Sequence, residues 1–113
     1  MEGLGSGPSI FGTPTRTSTL LLVSMLGETH AAEIARILER SPSRIKDAID
    51  SLEQAGLVVG IEVGRTRRVS LNPRFVARQE LESLLQKLGV MDLPLQAKLA
   101  SRRRRPRRSG KKI

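Results

Sequence analysis

The chain has 113 residues, no cysteine, and 20 lysines and arginines against 11 aspartates and glutamates, which gives a formal net charge of +9. This length fits one domain with a modest core, and the lack of cysteine excludes disulfides and thiolate metal sites. With two aromatic side chains, a platform for stacking single-stranded bases is not expected. No apolar run is long enough to cross a membrane and no signal peptide is apparent, so we expect a cytoplasmic protein.

Residues 1–14 are rich in glycine and proline, which predicts a flexible leader. A helix is predicted from about Arg16 to Leu26. It is apolar on nearly every side, as in a fully buried helix. In a chain this short, that pattern suggests that a partner subunit covers one of its faces.

Two helices joined by a tight turn are predicted next. In the first, Ile34, Ile37 and Leu38 form an apolar stripe, and either Thr29 or His30 could cap its start. The second begins after Ser41, a good N-cap, and Gly56 ends it. Its buried stripe would consist of Ile45, Ala48, Ile49 and Leu52. Its opposite face carries Ser43, Arg44, Lys46, Asp47, Asp50 and Ser51.

After Gly56 the apolar period changes from 3.6 to 2, which predicts two strands around a turn at residues 64–66. Asn72 and Pro73 end this hairpin. A hairpin that follows a helix-turn-helix is a wing. Its basic and hydroxyl side chains at the tip are Arg65, Thr66, Arg67 and Arg68.

A last helix is predicted from about Pro73 to Leu88, with an apolar stripe of Ala77, Leu81, Leu84, Leu85 and Leu88. This stripe could pack inside the chain. We favour the alternative, a dimer interface formed with Leu21 of the first helix. Residues 90–95 break the helix, and residues 96–100 could add one turn.

The positive charge is concentrated at the C-terminus. Residues 102–113 contain eight basic residues and no acid, so residues 1–101 hold 12 basic and 11 acidic groups. Such a tail cannot bury apolar surface and is expected to be disordered. It could be a solubilising end, but we favour an arm that neutralises phosphates. Its arginines are Arg102, Arg103, Arg104, Arg105, Arg107 and Arg108.

Residues 15–88 resemble the winged helix-turn-helix transcription regulators of the ArsR and MarR kind. The resemblance rests on residues 33–35 of the first motif helix, 41–43 at the turn, 52–58 after the second helix and 64–73 in the wing. It implies a homodimer whose recognition helices enter adjacent major grooves of DNA. Many members sense metals through cysteine or histidine clusters, whereas this chain has only His30, so no metal or other cofactor is expected.

Asp47 and Asp50 also depart from the family, which often has basic or neutral polar residues on the recognition helix. A carboxylate repels phosphate but can accept a hydrogen bond from a cytosine amino group. Acids are equally common on solvated helix faces, and we favour that interpretation. The serines have no obvious base partner and there is no second histidine, so no catalytic site is predicted and the chain is not expected to be an enzyme.

The predicted fold is mostly α with a small β-hairpin, a winged helix-turn-helix with a C-terminal dimerisation helix. Its divisions are a leader (1–14), the domain (15–90), and a linker with a disordered basic tail (91–113). We expect a homodimeric, sequence-specific regulator that binds double-stranded DNA, nucleoid-associated if prokaryotic; any effector is unknown. Alternatives are a charge-driven architectural protein and a protein-interaction module. The expected DNA contacts are Ser43, Arg44, Lys46 and Asp47, with the wing and tail residues named above.

Overall fold

The computed structural model describes residues 10–104, and the side chains as far as residue 102. Residues 1–9 of the predicted leader and residues 105–113 of the tail lie outside this description. The described elements are α1 (Pro14–Leu26), α2 (Ala31–Leu38), α3 (Pro42–Gln54), β1 (Val58–Val63), β2 (Thr66–Leu71), α4 (Arg78–Met91) and α5 (Leu93–Arg104). The predicted mixture of helices with one small hairpin is confirmed. No helix in residues 10–104 is long and apolar enough to cross a membrane.

Helix α1 is the centre of the core. The Thr13 side chain caps it by accepting a hydrogen bond from the Arg16 N–H (3.0 Å), and Gly27 ends it with a positive φ of 81°. The consecutive residues Leu20–Val23 are all 0% exposed, because α2, α3, α4 and β2 pack around them. The expectation that a partner subunit covers this helix is therefore wrong: the chain covers it by itself.

The helix-turn-helix follows the predicted pattern. Ser41 caps α3 by accepting a hydrogen bond from the Arg44 N–H (3.3 Å), and Pro42 occupies the first helical position. The turn between the helices contains Glu39, whose φ of 59° is left-handed. His30 is the N-cap residue of α2 but its side chain does not cap the helix, and the Thr29 hydroxyl donates to Glu33 Oε1 (2.6 Å).

Strands β1 and β2 pair antiparallel, from Val58 opposite Leu71 to Val63 opposite Thr66. Gly64, with a φ of 65°, forms the turn between them. Thr29 adds a short bridge to the hairpin, since its backbone exchanges two hydrogen bonds with Val69 (2.8 and 3.0 Å). The base of the hairpin is thus fixed beside the start of α2.

The linker predicted to begin at residue 91 is instead largely a helix, α5. Residues 93–104 are helical, and the Asp92 carboxylate caps them by accepting a hydrogen bond from the Leu95 N–H (3.2 Å). Leu95 and Leu99, one turn apart, are buried in the core, and this burial is the physical reason that the segment is ordered. A domain boundary at residue 90 is therefore wrong, because α5 is part of the same core.

The predicted dimer residues separate into two groups. Leu21, Leu81 and Leu85 are buried inside the single chain, so their assignment to a dimer interface is wrong. Their own neighbours in the core already remove them from water. Leu88 is half-buried against the core, and Leu84 remains 39% exposed. Only this outer edge of the stripe is available to a second molecule.

We expect Leu85→Ala to lower the free energy of unfolding by about 2–5 kcal/mol, because it leaves a cavity beside α1. The adjacent Leu84→Ala is the matched control and should cost about 1 kcal/mol or less. Urea unfolding at low protein concentration measures both without a contribution from self-association. Equal losses for the two variants would contradict this placement of α4.

Candidate nucleic-acid interface

Helix α3 presents three different surfaces around its axis. At about 100° per residue, Ser43, Asp47 and Gln54 lie opposite the stripe that packs into the core. Lys46 is turned toward the hairpin, whereas Arg44 is turned toward the start of α1. The outermost surface is therefore polar and carries an acid, while its two flanks carry cations.

An open groove of about 550 Å³ separates α3 from the tip of the hairpin. We call it the wing groove. Its walls are formed by the uncapped first turn of α2, the first two turns of α3 and the hairpin tip. The basic side chains that line it are Lys46, Arg65 and Arg67, and Glu62 is the one acid of the lining, so the groove has an excess of positive charge. Ser43 and Thr66 line the same groove, so five predicted DNA contacts come together here.

Arg67 ties the hairpin to α3. Its Nη1 lies 2.9 Å from Asp50 Oδ1, and its Nη2 lies 2.9 Å from Glu53 Oε1. Glu53 Oε2 also accepts a hydrogen bond from the Gly60 N–H (3.3 Å). The side chain of Arg67 crosses the strand at Gly60, where an added Cβ would lie only 2.8 Å from Arg67 Nε.

This arrangement changes the predicted role of Arg67. Two carboxylates already balance its charge, and its side chain is 28% exposed. We therefore assign Arg67 to positioning the wing rather than to phosphate contact. Asp50 is likewise not the simple solvated acid that the sequence analysis favoured, since it is paired with both Arg67 and Lys46.

Asp50 is held in its ionised form. Hydrogen bonds from Lys46 (Nζ to Oδ2, 3.1 Å) and from Arg67 lower the pKa of its carboxyl, and these two contacts outweigh the opposing effect of desolvation. The pairs also neutralise a carboxylate that would otherwise repel phosphate.

The other two wing arginines differ from each other. Arg68 pairs with Glu28 through Nη2 and Oε1, 3.3 Å apart, on the outer side of the hairpin. Arg65 is exposed at the tip, and no carboxylate in residues 10–102 lies within ion-pairing distance of it. Of the three, Arg65 is the arginine best able to meet an external anion.

The start of the basic tail belongs to the folded domain. Arg102 pairs with Glu33 of α2 (Nη1 to Oε2, 3.0 Å), the same carboxylate that accepts the Thr29 hydroxyl. Arg102 therefore fixes α5 to α2 and is not a free DNA contact. Arg103 and Arg104 lie in α5 but their side chains are not described, and the other predicted tail contacts, Arg105, Arg107 and Arg108, lie outside the described residues.

Sequence reasoning missed Glu33 and Glu53 as functional partners. Their pairs span 69 and 14 residues along the chain, so no local spacing predicts them. The one available indication was the spacing of Asp50 and Glu53, which places both acids on the hairpin side of α3. In residues 10–104, no group of three or more histidine, aspartate or glutamate side chains could hold a metal ion.

The sequence matches no protein-family model and no curated protein. Among solved structures, the chain is similar to the adhesin competence repressor AdcR of Streptococcus pyogenes, with a TM-score of 0.58 and 19% identity over 80% of this chain and 66% of that one. It is also similar to a mutant form of ZitR from Lactococcus lactis, with a TM-score of 0.55 and 20% identity over 73% of this chain and 57% of that one.

The apo form of the same ZitR mutant gives a TM-score of 0.53 with 23% identity, over 74% of this chain and 66% of that one. The chain thus covers between 57% and 66% of the length of these proteins. These likenesses, together with the order of helices and hairpin, establish the fold as a winged helix-turn-helix. Within this fold, α3 holds the position of the recognition helix and the β1–β2 hairpin is the wing.

We expect Asp50→Asn to destabilise the protein at neutral pH, because it removes one of the two carboxylates that pair with Arg67 and attach the wing. A carboxyl whose pKa is lowered by folding stabilises the fold above its unfolded pKa, and this contribution disappears as the pH falls through its folded value. Thermal unfolding should therefore show a gap between wild type and Asp50→Asn that narrows below about pH 4.

Asp47→Asn is the matched control, since it removes an acid from the same helix that has no ion pair in the described residues. Its effect on the melting temperature should be small at every pH. If the gap for Asp50→Asn keeps the same size from pH 7 to pH 2, the ion pairs of Asp50 do not contribute to stability.

Proposed function

We propose that this chain is a transcription regulator that binds double-stranded DNA through α3 and the wing, without enzymatic activity and in the cytoplasm or nucleoid. The observation that carries the proposal is the wing groove, where Lys46, Arg65 and the uncapped start of α2 lie beside the outer face of the recognition helix. Phosphate is the anion that such a combination of cations and free amides suits.

The dimensions support this use of α3. A major groove about 12 Å wide accepts an α-helix about 10–12 Å across. Ser43, Asp47 and Gln54 would then face the base edges, since they lie opposite the buried stripe. Asp47 could accept a hydrogen bond from a cytosine amino group, which would give it a role despite its charge.

The wing groove would contact the backbone. Lys46 and Arg65 are exposed, and Arg65 has no acidic partner in the described part of the chain. Contacts of this kind fix the register of a protein on DNA without reading sequence. We therefore assign affinity to this flank and sequence preference to the outer face of α3.

The basic tail would add affinity in the same non-specific way. Residues 1–101 are nearly neutral, so most of the net charge of +9 lies beyond the core. We propose that residues 103–113 act as an arm that neutralises phosphates. A charge-driven architectural protein is the second candidate that this charge distribution favours, because such a protein would depend on the arm more than on α3.

We also propose that the regulator is a homodimer. Several large apolar side chains of α4 and the start of α5 are exposed, and we call this set the α4–α5 patch: Leu84, Val90, Met91 and Leu93. Leu84, Leu88 and Met91 recur at helical spacing, so they lie along one face of α4. A second copy of the chain would remove this face from water.

Arg65→Gln should weaken binding to duplex DNA and reduce the slope of log K against log salt by about 0.9, because one phosphate contact is lost. Salt titrations with a duplex enriched from a random pool and with a scrambled duplex measure this. Arg78→Gln, which removes an equal charge from α4, is the matched control and should leave the slope unchanged.

The enrichment itself separates the two candidate functions. A regulator should select a defined motif, two-fold symmetric if it is a dimer, whereas an architectural protein should bind tightly with no enriched sequence. If the protein does not bind duplex DNA even at low salt, both candidate functions are wrong.

The dimer proposal predicts a mass near twice 12.4 kDa in sedimentation at micromolar concentration. Met91→Glu should give monomers, because it places a charge in the centre of the apolar patch. Val76→Glu is the control, since Val76 is 95% exposed and lies outside the patch. A monomeric wild type would contradict this proposal and would leave DNA binding to be judged separately.

A further inference from the structure

We propose a second phosphate-binding surface on the other side of α3, formed by three arginines that belong to α1, to the turn before α3 and to α3 itself. It rests on the proposed function, since its ligand would be the backbone of the same duplex. The surface is an open groove of about 400 Å³ between the start of α1 and the first two turns of α3. We call it the α1 groove; its cations are Arg16, Arg40 and Arg44.

Two of these arginines are held by neutral partners. Arg40 Nη1 donates to the Thr15 hydroxyl at 2.7 Å, and Arg16 Nη1 donates to the Phe11 carbonyl at 3.1 Å. Neither contact removes any positive charge. The bonds hold the guanidinium groups in place while their charge stays available to an anion.

The groove has an excess of positive charge. Its one acid is Asp47, and no carboxylate in residues 10–102 lies within 4.0 Å of Arg16, Arg40 or Arg44. This differs from Arg67, Arg68, Arg78 and Arg102, each of which has an acidic partner in the structure. Arg36, Arg65 and Arg74 also lack an acidic partner in residues 10–102, so what distinguishes the α1 groove is that three such arginines line one groove.

The position of the α1 groove matches that of a second DNA strand. Lys46 and Arg44 are separated by about 160° around the helix axis, on either side of the outer face that carries Ser43 and Asp47. A major groove is bordered by two phosphate backbones, one on each side of a helix that lies in it. The wing groove would meet one strand and the α1 groove the other.

This arrangement also explains the acid on the outer face. Asp47 would lie between two cationic flanks, so that the phosphates approach arginine and lysine side chains before they approach the carboxylate. The repulsion that makes an acid unusual on a recognition helix is then offset by its neighbours.

The test uses Arg40, which belongs to the turn before α3 and lies outside the outer face of the helix. In the full chain, Arg40→Gln should weaken binding to the enriched and the scrambled duplex by similar factors and reduce the salt slope by about 0.9. Arg40→Lys should retain most of the slope because it keeps the charge. Arg78→Gln serves again as the control for an equal loss of charge.

Thermal unfolding of each variant shows whether Arg40→Gln acts through folding, and Arg16→Gln gives an independent measurement on the same groove. Loss of slope in Arg40→Gln and Arg16→Gln, with folded proteins, supports the second surface. If wild type binds duplex DNA and Arg65→Gln reduces the slope, but Arg40→Gln and Arg16→Gln do not, the second surface is wrong and the proposed function stands. If wild type does not bind a duplex at all, both fail.

Discussion

The complete burial of Leu20–Val23 in α1 is the constraint on which the rest of the fold depends. Four consecutive residues of a helix point in all directions, so covering them requires neighbours on every side. Helices α2, α3 and α4 and strand β2 supply those neighbours. The helix-turn-helix is therefore fixed from behind, which leaves only its outer face and its flanks for binding.

The second constraint is electrostatic. Helix α3 carries three acids, yet it is the element that we propose enters the major groove. Two of them, Asp50 and Glu53, form ion pairs with Arg67 and thereby attach the wing to the helix. These ion pairs neutralise negative charge on the helix and set the position of the hairpin. The wing groove therefore depends on Asp50, which the sequence analysis placed on a solvated helix face, and on Glu53, which it missed.

Local pattern predicted the elements well and the contacts between them poorly. The Ser41 cap, the buried stripe of α3 and the change of period after Gly56 are local features, and the structure confirms all three. The role of Arg67, and the fact that α5 is folded, both depend on contacts with residues far away in the sequence. The burial of Leu95 and Leu99 could not be predicted from their own segment, because it depends on the packing of α5 against α2.

The packing of α5 connects the core to the tail. Lys98 lies 3.7 Å from Glu39, after the end of α2, and Arg102 pairs with Glu33 in its first turn, so α5 runs antiparallel to α2. The first turn of α2 also lines the wing groove. The run of basic residues therefore begins next to the proposed DNA surface rather than on the opposite side of the domain. The proposed arm would therefore need little length to reach phosphates that flank the wing, because the ion pair between Arg102 and Glu33 fixes the position from which it would start.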